Sequence, residues 1–181
     1  WNHLFNDKLF MNSTLIFSDY NFGTDATQRN FQLKLFSGIR EWSLKNDFSY
    51  FPHIQHSIKF GGIYTYHIFT PSSVSAKAGN VQLQPDKITK QYANEAALYI
   101  MDDYEISARW KVNAGLRYSF FQHIGPYDKF IKDFRENIVD TVSYKTWENI
   151  KAYHGLEPRL SLRFVIDPQS SLKASYTRNY Q

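Results

Sequence analysis

Two adjacent carboxylates and six histidines are the side chains of this sequence best suited to catalysis or metal binding. Asp102 and Asp103 resemble half of a carboxylate site, but neighbouring residues of a strand point to opposite faces, so a shared metal is not expected. The histidines show no metal-ligand spacing on one face; they are His3, His53, His56, His67, His123 and His154. No Ser/His/Asp order or phosphate-binding loop stands out. The sequence therefore predicts no enzyme, no metal and no cofactor.

Basic residues that alternate with apolar ones form a second group of candidates. By parity they share one side of the predicted strands, which we call the polar face, with Glu95 and Glu157; they are Lys59, Lys111, Arg117, Arg159, Arg163 and Lys173. One interpretation is that they hydrogen-bond to each other and to water. The sharper hypothesis is that Arg117, Arg159 and Arg163 form a basic wall that binds carboxylates, since Arg makes paired hydrogen bonds to them.

Aromatic residues within a long predicted loop, Gly125 to Gly155, form the third group. They are Tyr127, Phe130, Phe134, Tyr144, Trp147 and Tyr153, among charges of both signs. Such residues either pack the loop itself or capture a ligand, since Tyr and Trp give contact area at low entropic cost. The segment Ile131 to Val139 is predicted to form a short helix.

These candidates depend on two runs of alternating residues between Tyr92 and Ile124. In the first run Ala96, Leu98, Ile100 and Tyr104 alternate with a set that includes Glu95, Asp103 and Glu105. In the second run Val112, Leu116 and Tyr118 alternate with Lys111, Asn113 and Arg117. A period of two places the apolar residues on one side of a strand, here called the apolar face. Because the joint Ser107–Arg109 is too short for a crossover, the two runs are predicted to pair as an antiparallel hairpin.

Strand length indicates what the apolar face contacts. Each run has about 15 residues, whereas strands of soluble proteins usually have about 5 or 6. A tilted strand crosses a bilayer with about 9 to 11 residues and can continue beyond it. The pattern therefore favours an outer-membrane barrel, in which the apolar face contacts lipid and the polar face lines the lumen.

Composition agrees with this interpretation without requiring it. The 181 residues include 15 Phe, 13 Tyr, 4 Trp and no Cys. The longest apolar run, Ala96–Met101, is far shorter than the roughly 18 residues of a spanning helix. Mean hydropathy is -0.50, but alternation hides a lipid-facing surface from such averages. The net charge of +4 is scattered singly, which argues against a nucleic-acid partner.

About seven long strands, separated alternately by long and short connections, follow from the same pattern. A phase change at Ser37–Ile39 predicts a β-bulge near Gly38 within one long strand, with a hairpin turn there as the alternative. The strands are Asp7 to Phe17, Asn30 to Phe51, His56 to Thr70, Tyr92 to Ile106, Trp110 to Ile124, Leu156 to Ile166 and Ser170 to Gln181. Residues Tyr20 to Gln28 and Ser72 to Gln91 are predicted loops, and Trp1 to Asn6 the end of a preceding turn.

Two hairpins resemble those of TonB-dependent outer-membrane receptors. The first combines Tyr99-Ile100-Met101-Asp102 with Gly115-Leu116-Arg117-Tyr118, and the second combines Glu157–Arg163 with Lys173–Gln181. The second is most like Bacteroidetes versions of the family. The resemblance is clear over Tyr92 to Gln181 and weaker over the first ninety residues.

The resemblance implies an outer-membrane receptor with a 22-stranded barrel, which imports a scarce ligand with energy from TonB. It implies as partners outer-membrane lipid, the rest of the barrel, a plug domain that contacts the lumen cations, and the TonB complex through that plug. A surface lipoprotein partner is left open. The sequence begins at Trp1 and contains no plug, so we expect an internal segment of the barrel, completed by further residues or by other chains.

Two other classes of protein are alternatives. One is a different outer-membrane barrel, either a channel or an adhesin-like porin. The other is a soluble β-sandwich that binds carbohydrate or protein. Nothing in the residues distinguishes a siderophore, cobalamin, glycan or peptide as the ligand, and the motifs of the glycan-importing SusC-like branch are not found.

Overall fold

The computed structural model describes residues 1–83 and 89–180, and those residues form antiparallel strands joined by turns, with no helix. The predicted all-β fold is therefore confirmed. The strands are β1 (Asn2–Asn6), β2 (Leu9–Gln28), β3 (Phe31–Tyr50), β4 (His56–Ala78), β5 (Val81–Leu83), β6 (Gln91–Glu105), β7 (Trp110–Ile124), β8 (Tyr127–Lys132), β9 (Ile138–Tyr144), β10 (Asn149–Asp167) and β11 (Ser170–Thr177).

One sheet contains all the long strands in the order β1-β2-β3-β4-β6-β7-β10-β11, with β5 paired to the far end of β4. The seven predicted strands correspond to β2, β3, β4, β6, β7, β10 and β11. Their bounds differ: β11 ends at Thr177, before the predicted end, and Gln181 lies outside the described residues. Residues 2–6 were expected to end a turn but form β1. Over the described residues the sheet does not close into a barrel.

The central hairpin pairs β6 with β7 in unbroken register from Tyr92 opposite Ile124 to Glu105 opposite Lys111. The last hairpin pairs β10 with β11 across Pro168–Gln169. We call the end of the sheet that carries these connections, and the connection between β3 and β4, the turn end. Short connections at one end are typical of barrels that have one end in the periplasm.

The predicted irregularity near Gly38 is present, but the extra residue lies on the neighbouring strand. β3 is one continuous strand that pairs with β2 in register from Leu9 opposite Tyr50 to Gln28 opposite Phe31. Against β4, Phe36 lies opposite Ser73 while Gly38 lies opposite Thr70, so β4 has one more residue than β3 between those pairs. The extra residue falls at Pro71–Ser72, which suits proline because it cannot donate to a sheet ladder.

Both shorter loop predictions were wrong, because the strands continue through them. Residues 20–28 belong to β2, and β4 runs through Pro71 to Ala78 before β5 pairs back onto it. The tight turns use left-handed backbone at Arg29 (φ 48°) and Gly79 (φ 58°), as two-residue hairpin loops require. Residues 84–88, within the predicted loop Ser72 to Gln91, lie outside the described residues.

The long connection between β7 and β10 is also ordered as β-structure. β8 and β9 form a separate two-stranded hairpin, and β10 begins at Asn149, before the predicted start at Leu156. The helix predicted over Ile131 to Val139 is wrong, because those residues instead enter and leave the hairpin turn at 133–137. Asp133 holds that turn by accepting hydrogen bonds from the backbone N–H groups of Arg135 (2.7 Å) and Asn137 (2.9 Å).

In a soluble protein the apolar face of a sheet is buried and the polar face is exposed. In this sheet large apolar side chains are exposed, and several polar side chains are buried. On the apolar face Leu15, Leu98 and Leu172 are 71%, 66% and 65% exposed. The buried side chains of the long strands instead include Ser43, Thr65, His67 and Glu157 on the polar face. Most large side chains of the apolar face are thus partly or largely exposed in this sheet, and Ile124, at 2% exposed, is an exception.

At the end opposite the turn end, the apolar side chains of β2, β3 and β4 change sides from the pairs Asp19–Arg40 and Ile39–Phe69 onward, just before the bulge. We call this part, residues 19–28, 31–40 and 69–78, the extension. Trp42 and Leu44 lie on the apolar face, nearer the turn end. On the same side of the sheet, the extension carries two ion pairs, Arg40 with Asp19 (2.6 Å) and Lys34 with Asp25 (4.0 Å). The opposite side carries apolar residues instead: Phe22, Leu33, Leu35, Val74, Ala76 and Leu83.

Candidate functional site

The polar face is cross-linked between strands by hydrogen bonds and ion pairs. At its centre His67 lies between two carboxylates, with Nδ1 2.9 Å from an oxygen of Glu41 and Nε2 3.2 Å from an oxygen of Glu95. Next to it the hydroxyls of Ser43 and Thr65 are 2.8 Å apart. This network joins β3, β4 and β6.

A second contact on the polar face links strands that are not neighbours. The phenol of Tyr99 on β6 donates a hydrogen bond to Asp47 on β3, and Lys45 lies 2.7 Å from the same carboxylate group. The intervening strand β4 has Gly61 opposite both residues, where a Cβ would lie 3.0 Å from the Tyr99 hydroxyl. Glycine at this position therefore lets the tyrosine reach across β4.

Two of the predicted basic residues surround a buried carboxylate. Glu157 is 6% exposed and accepts a hydrogen bond from Ser119 (2.7 Å), which in turn accepts one from Nε of Arg117 (3.1 Å). Arg159 lies 3.7 Å from the other oxygen of Glu157. Arg159 is therefore paired with Glu157 directly, whereas Arg117 is linked to the same carboxylate through Ser119.

Three other predicted basic residues lie in one row across the turn end. Lys111 on β7 is opposite Arg163 on β10, which is opposite Lys173 on β11. Lys111 forms an ion pair with Glu105. The three cations line an open pocket of about 820 Å³, to which the turn between β3 and β4 also contributes. Lys59, the sixth predicted cation, lies apart on β4, exposed and opposite Ser49 and Met101.

The polar face thus carries all six predicted basic residues, but it divides them into separate groups. Arg159 and Arg163, expected in one wall with Arg117, have different neighbours: the first lies beside Glu157, and the second lies between two lysines. The sequence analysis missed the carboxylates around His67 and the tyrosine contact of Asp47. The sequence shows that these residues occupy odd positions and so share one face of the sheet. Only the register between strands shows which of them are in contact.

The predicted aromatic ligand residues lie around the β8–β9 hairpin without forming one cluster. Tyr127 and Tyr144 are opposite each other at its base, and Phe130 is 55% exposed along it. Trp147 stacks on Tyr66 of β4, with ring centroids 5.4 Å apart. Tyr153 instead lies on the polar face beside Phe121, with Nζ of Lys151 4.8 Å from its ring.

At the tip of the same hairpin, Phe134 is 89% exposed beside the ordered turn. The side chain of Asn137 donates to Asp133 at 3.2 Å, and with the backbone N–H groups of the turn it holds the pKa of Asp133 below its usual range. The tip is therefore a fixed turn with an aromatic side chain presented outward.

The adjacent carboxylates separate as expected for neighbours on a strand. Asp102 lies on the apolar face, 2.7 Å from Nδ1 of His56, whereas Asp103 accepts a hydrogen bond from Asn113 on the polar face. His56 stacks on Tyr104, and Trp110 packs against Phe164 at 4.4 Å. These rings form a band at the turn end of the apolar face, where a membrane interface would place aromatic side chains.

Two searches for other kinds of site gave negative results over residues 1–83 and 89–180. No group of three or more His, Cys, Asp or Glu side chains is arranged to hold a metal ion. No helix in this part of the chain is long and apolar enough to cross a membrane.

The chain was compared with protein families, curated proteins and solved structures. Residues 1–181 match the family model described as TonB dependent receptor-like, beta-barrel. No curated protein and no solved structure matches the chain significantly.

Proposed function

Because the chain belongs to the TonB-dependent receptor β-barrel family, we propose that it forms part of the barrel wall of an outer-membrane receptor that imports a scarce extracellular ligand into the periplasm with energy delivered by TonB. Proteins of this family are transporters of the Gram-negative outer membrane, which contain a plug domain and interact with TonB and lipid. In this proposal the apolar face contacts lipid and the polar face lines the lumen.

The observation that supports the proposal most strongly is the distribution of charge and apolar surface over the strands. Between the turn end and the extension, the face with Leu98 and Leu15 presents exposed apolar side chains. Beyond Arg40 the same side carries ion pairs instead. A band of apolar surface with an aromatic rim and a charged border fits the hydrocarbon layer of a bilayer and its interfaces.

Within this proposal the site residues have two roles. The cations of the polar face, above all Arg163 and Lys173, contact the plug inside the barrel. The β8–β9 hairpin lies on the outer side of the membrane, where Tyr127, Phe130 and Tyr144 contact the ligand. Trp147 fixes the base of this hairpin on the barrel wall through Tyr66.

The proposal is tested on the full-length receptor that contains this segment. We expect it in the outer-membrane fraction, migrating faster on gels before heating than after, and binding the periplasmic domain of TonB through its plug. A receptor with the same barrel but with the TonB-binding segment deleted is the control for the last measurement. Recovery from the soluble fraction, or migration that does not change on heating, would contradict the proposal.

A further inference from the structure

The row of cations at the turn end has an unusual arrangement for a sheet. Arg163 has a lysine directly opposite it on each side, Lys111 on β7 and Lys173 on β11. Residues directly opposite each other in antiparallel strands have Cβ atoms about 4.5–5.5 Å apart, and like charges in that relation destabilise the pair. Three in one row therefore repel each other and would be stabilised by an anion placed between them.

The sheet supplies that anion for only one of the three cations. Lys111 forms an ion pair with Glu105. Over the described residues, neither Arg163 nor Lys173 lies within 4.0 Å of a carboxylate oxygen. The other carboxylate at the pocket, Asp103, already accepts a hydrogen bond from Asn113.

The space in front of the row is large enough for another group. The pocket of about 820 Å³ is bounded by the row on one side and by Phe51–Ser57 on the other, and Lys8 also lines it. The ammonium group of Lys8 donates to the carbonyl of Pro52 (3.1 Å), which ties this turn to the edge of the pocket. Four cations thus face two carboxylates that both have partners.

We propose that this pocket binds a pair of carboxylates, with one oxyanion held bidentately by Arg163 and the second by Lys173. Arginine presents parallel N–H donors that match a carboxylate, and lysine adds a point charge. The carboxylates belong either to an acidic segment of the receptor that lies in the lumen or to a small soluble dicarboxylate. This inference rests on the proposed function, because it requires the polar face to be the inside of the barrel.

The first test compares the thermal unfolding midpoint of the purified full-length receptor with that of its R163Q/K173Q variant. With the anion bound, R163Q/K173Q removes its partners and lowers the thermal unfolding midpoint. If no anion is bound to the row, the same double substitution relieves like-charge repulsion and raises the midpoint. That result would overturn the proposal. The control K77Q/K129Q removes two exposed lysines away from the pocket, neither of which has an ion pair within the described residues, and should leave the midpoint unchanged. If the double variant does not fold, the single variant K173Q, at an exposed position of β11, should change the midpoint in the same direction.

The second test identifies the source of the carboxylates. If backbone hydrogen exchange in one Asp- or Glu-containing segment is about tenfold faster in R163Q/K173Q than in the wild type, that segment of the receptor supplies the carboxylates. Exchange that is unchanged, together with a midpoint raised by added succinate in the wild type but not in the variant, identifies a soluble dicarboxylate. If neither effect is seen, the proposal fails. Heat-dependent migration of the same samples reports on the proposed function separately, since it does not depend on this pocket.

Discussion

His67 shows how much a single residue of the polar face depends on its neighbours. It is 9% exposed, and it separates Glu41 from Glu95 by lying between them on the strand that joins theirs. Without the ring, two carboxylates would face each other across β4. The two carboxylates are partly exposed, 36% for Glu41 and 47% for Glu95, so water would replace part of what the ring supplies.

We therefore predict that H67L lowers the free energy of unfolding by about 1 kcal/mol, because it removes the imidazole from two partly exposed carboxylates of like charge. The triple variant E41Q/H67L/E95Q, which also removes both negative charges, should recover most of that loss. Urea unfolding of the receptor in lipid vesicles measures both. The control H154L replaces an exposed histidine of the apolar face and should change stability little. A triple variant as unstable as H67L would contradict this account.

The strands of the extension illustrate which elements the sequence can predict. β6, β7, β11 and β10 from Leu156 onward follow from period-two alternation, since most positions on one side of each are apolar. Residues 20–28 contain the turn-forming residues Gly23 and Asp25, and their apolar side chains lie on the other side from those earlier in β2. The local pattern alone therefore indicates a loop. The structure makes them strand because β3 offers an unbroken edge for pairing.

The candidate site was predictable only in part, for a related reason. Parity placed all six cations on one face, which needs no knowledge of pairing. The row of Lys111, Arg163 and Lys173 instead depends on the register of β10 against both β7 and β11, which places Arg163 beside residues 52 and 10 positions away in sequence. Likewise the helix predicted at Ile131–Val139 ignored the turn that Asp133 stabilises.

The change of apolar side along β3 predicts where this element leaves the bilayer. Nitroxide labels on single cysteines at Trp42 and Leu44 should be accessible to oxygen dissolved in lipid. A label at Lys34, on the same side but within the extension, should instead be accessible to a water-soluble nickel complex. The reason is that Arg40 and Lys34 carry ion pairs that hydrocarbon would not solvate. Oxygen accessibility continuing unchanged to Lys34 would place the bilayer elsewhere.

At the scale of the whole molecule, the two edges of the sheet decide what the segment can do alone. β1 pairs only with β2, and β11 only with β10, over the described residues. All eight residues of β11 are exposed. In hydrocarbon each unpaired backbone group costs about 2–7 kcal/mol, and for this reason sheets that span membranes are closed.

Residues 1–181 alone should therefore fail to form a heat-sensitive monomeric barrel in lipid vesicles, whereas the full-length receptor refolded in parallel should form one. The free edges of the short chain are expected to pair with other copies, since an exposed edge strand templates further pairing. Size-exclusion chromatography after detergent extraction should give a broad distribution of oligomers for the short chain and one species for the receptor. A monomeric, protease-resistant insertion of the 181 residues would show instead that β1 and β11 pair with each other in lipid.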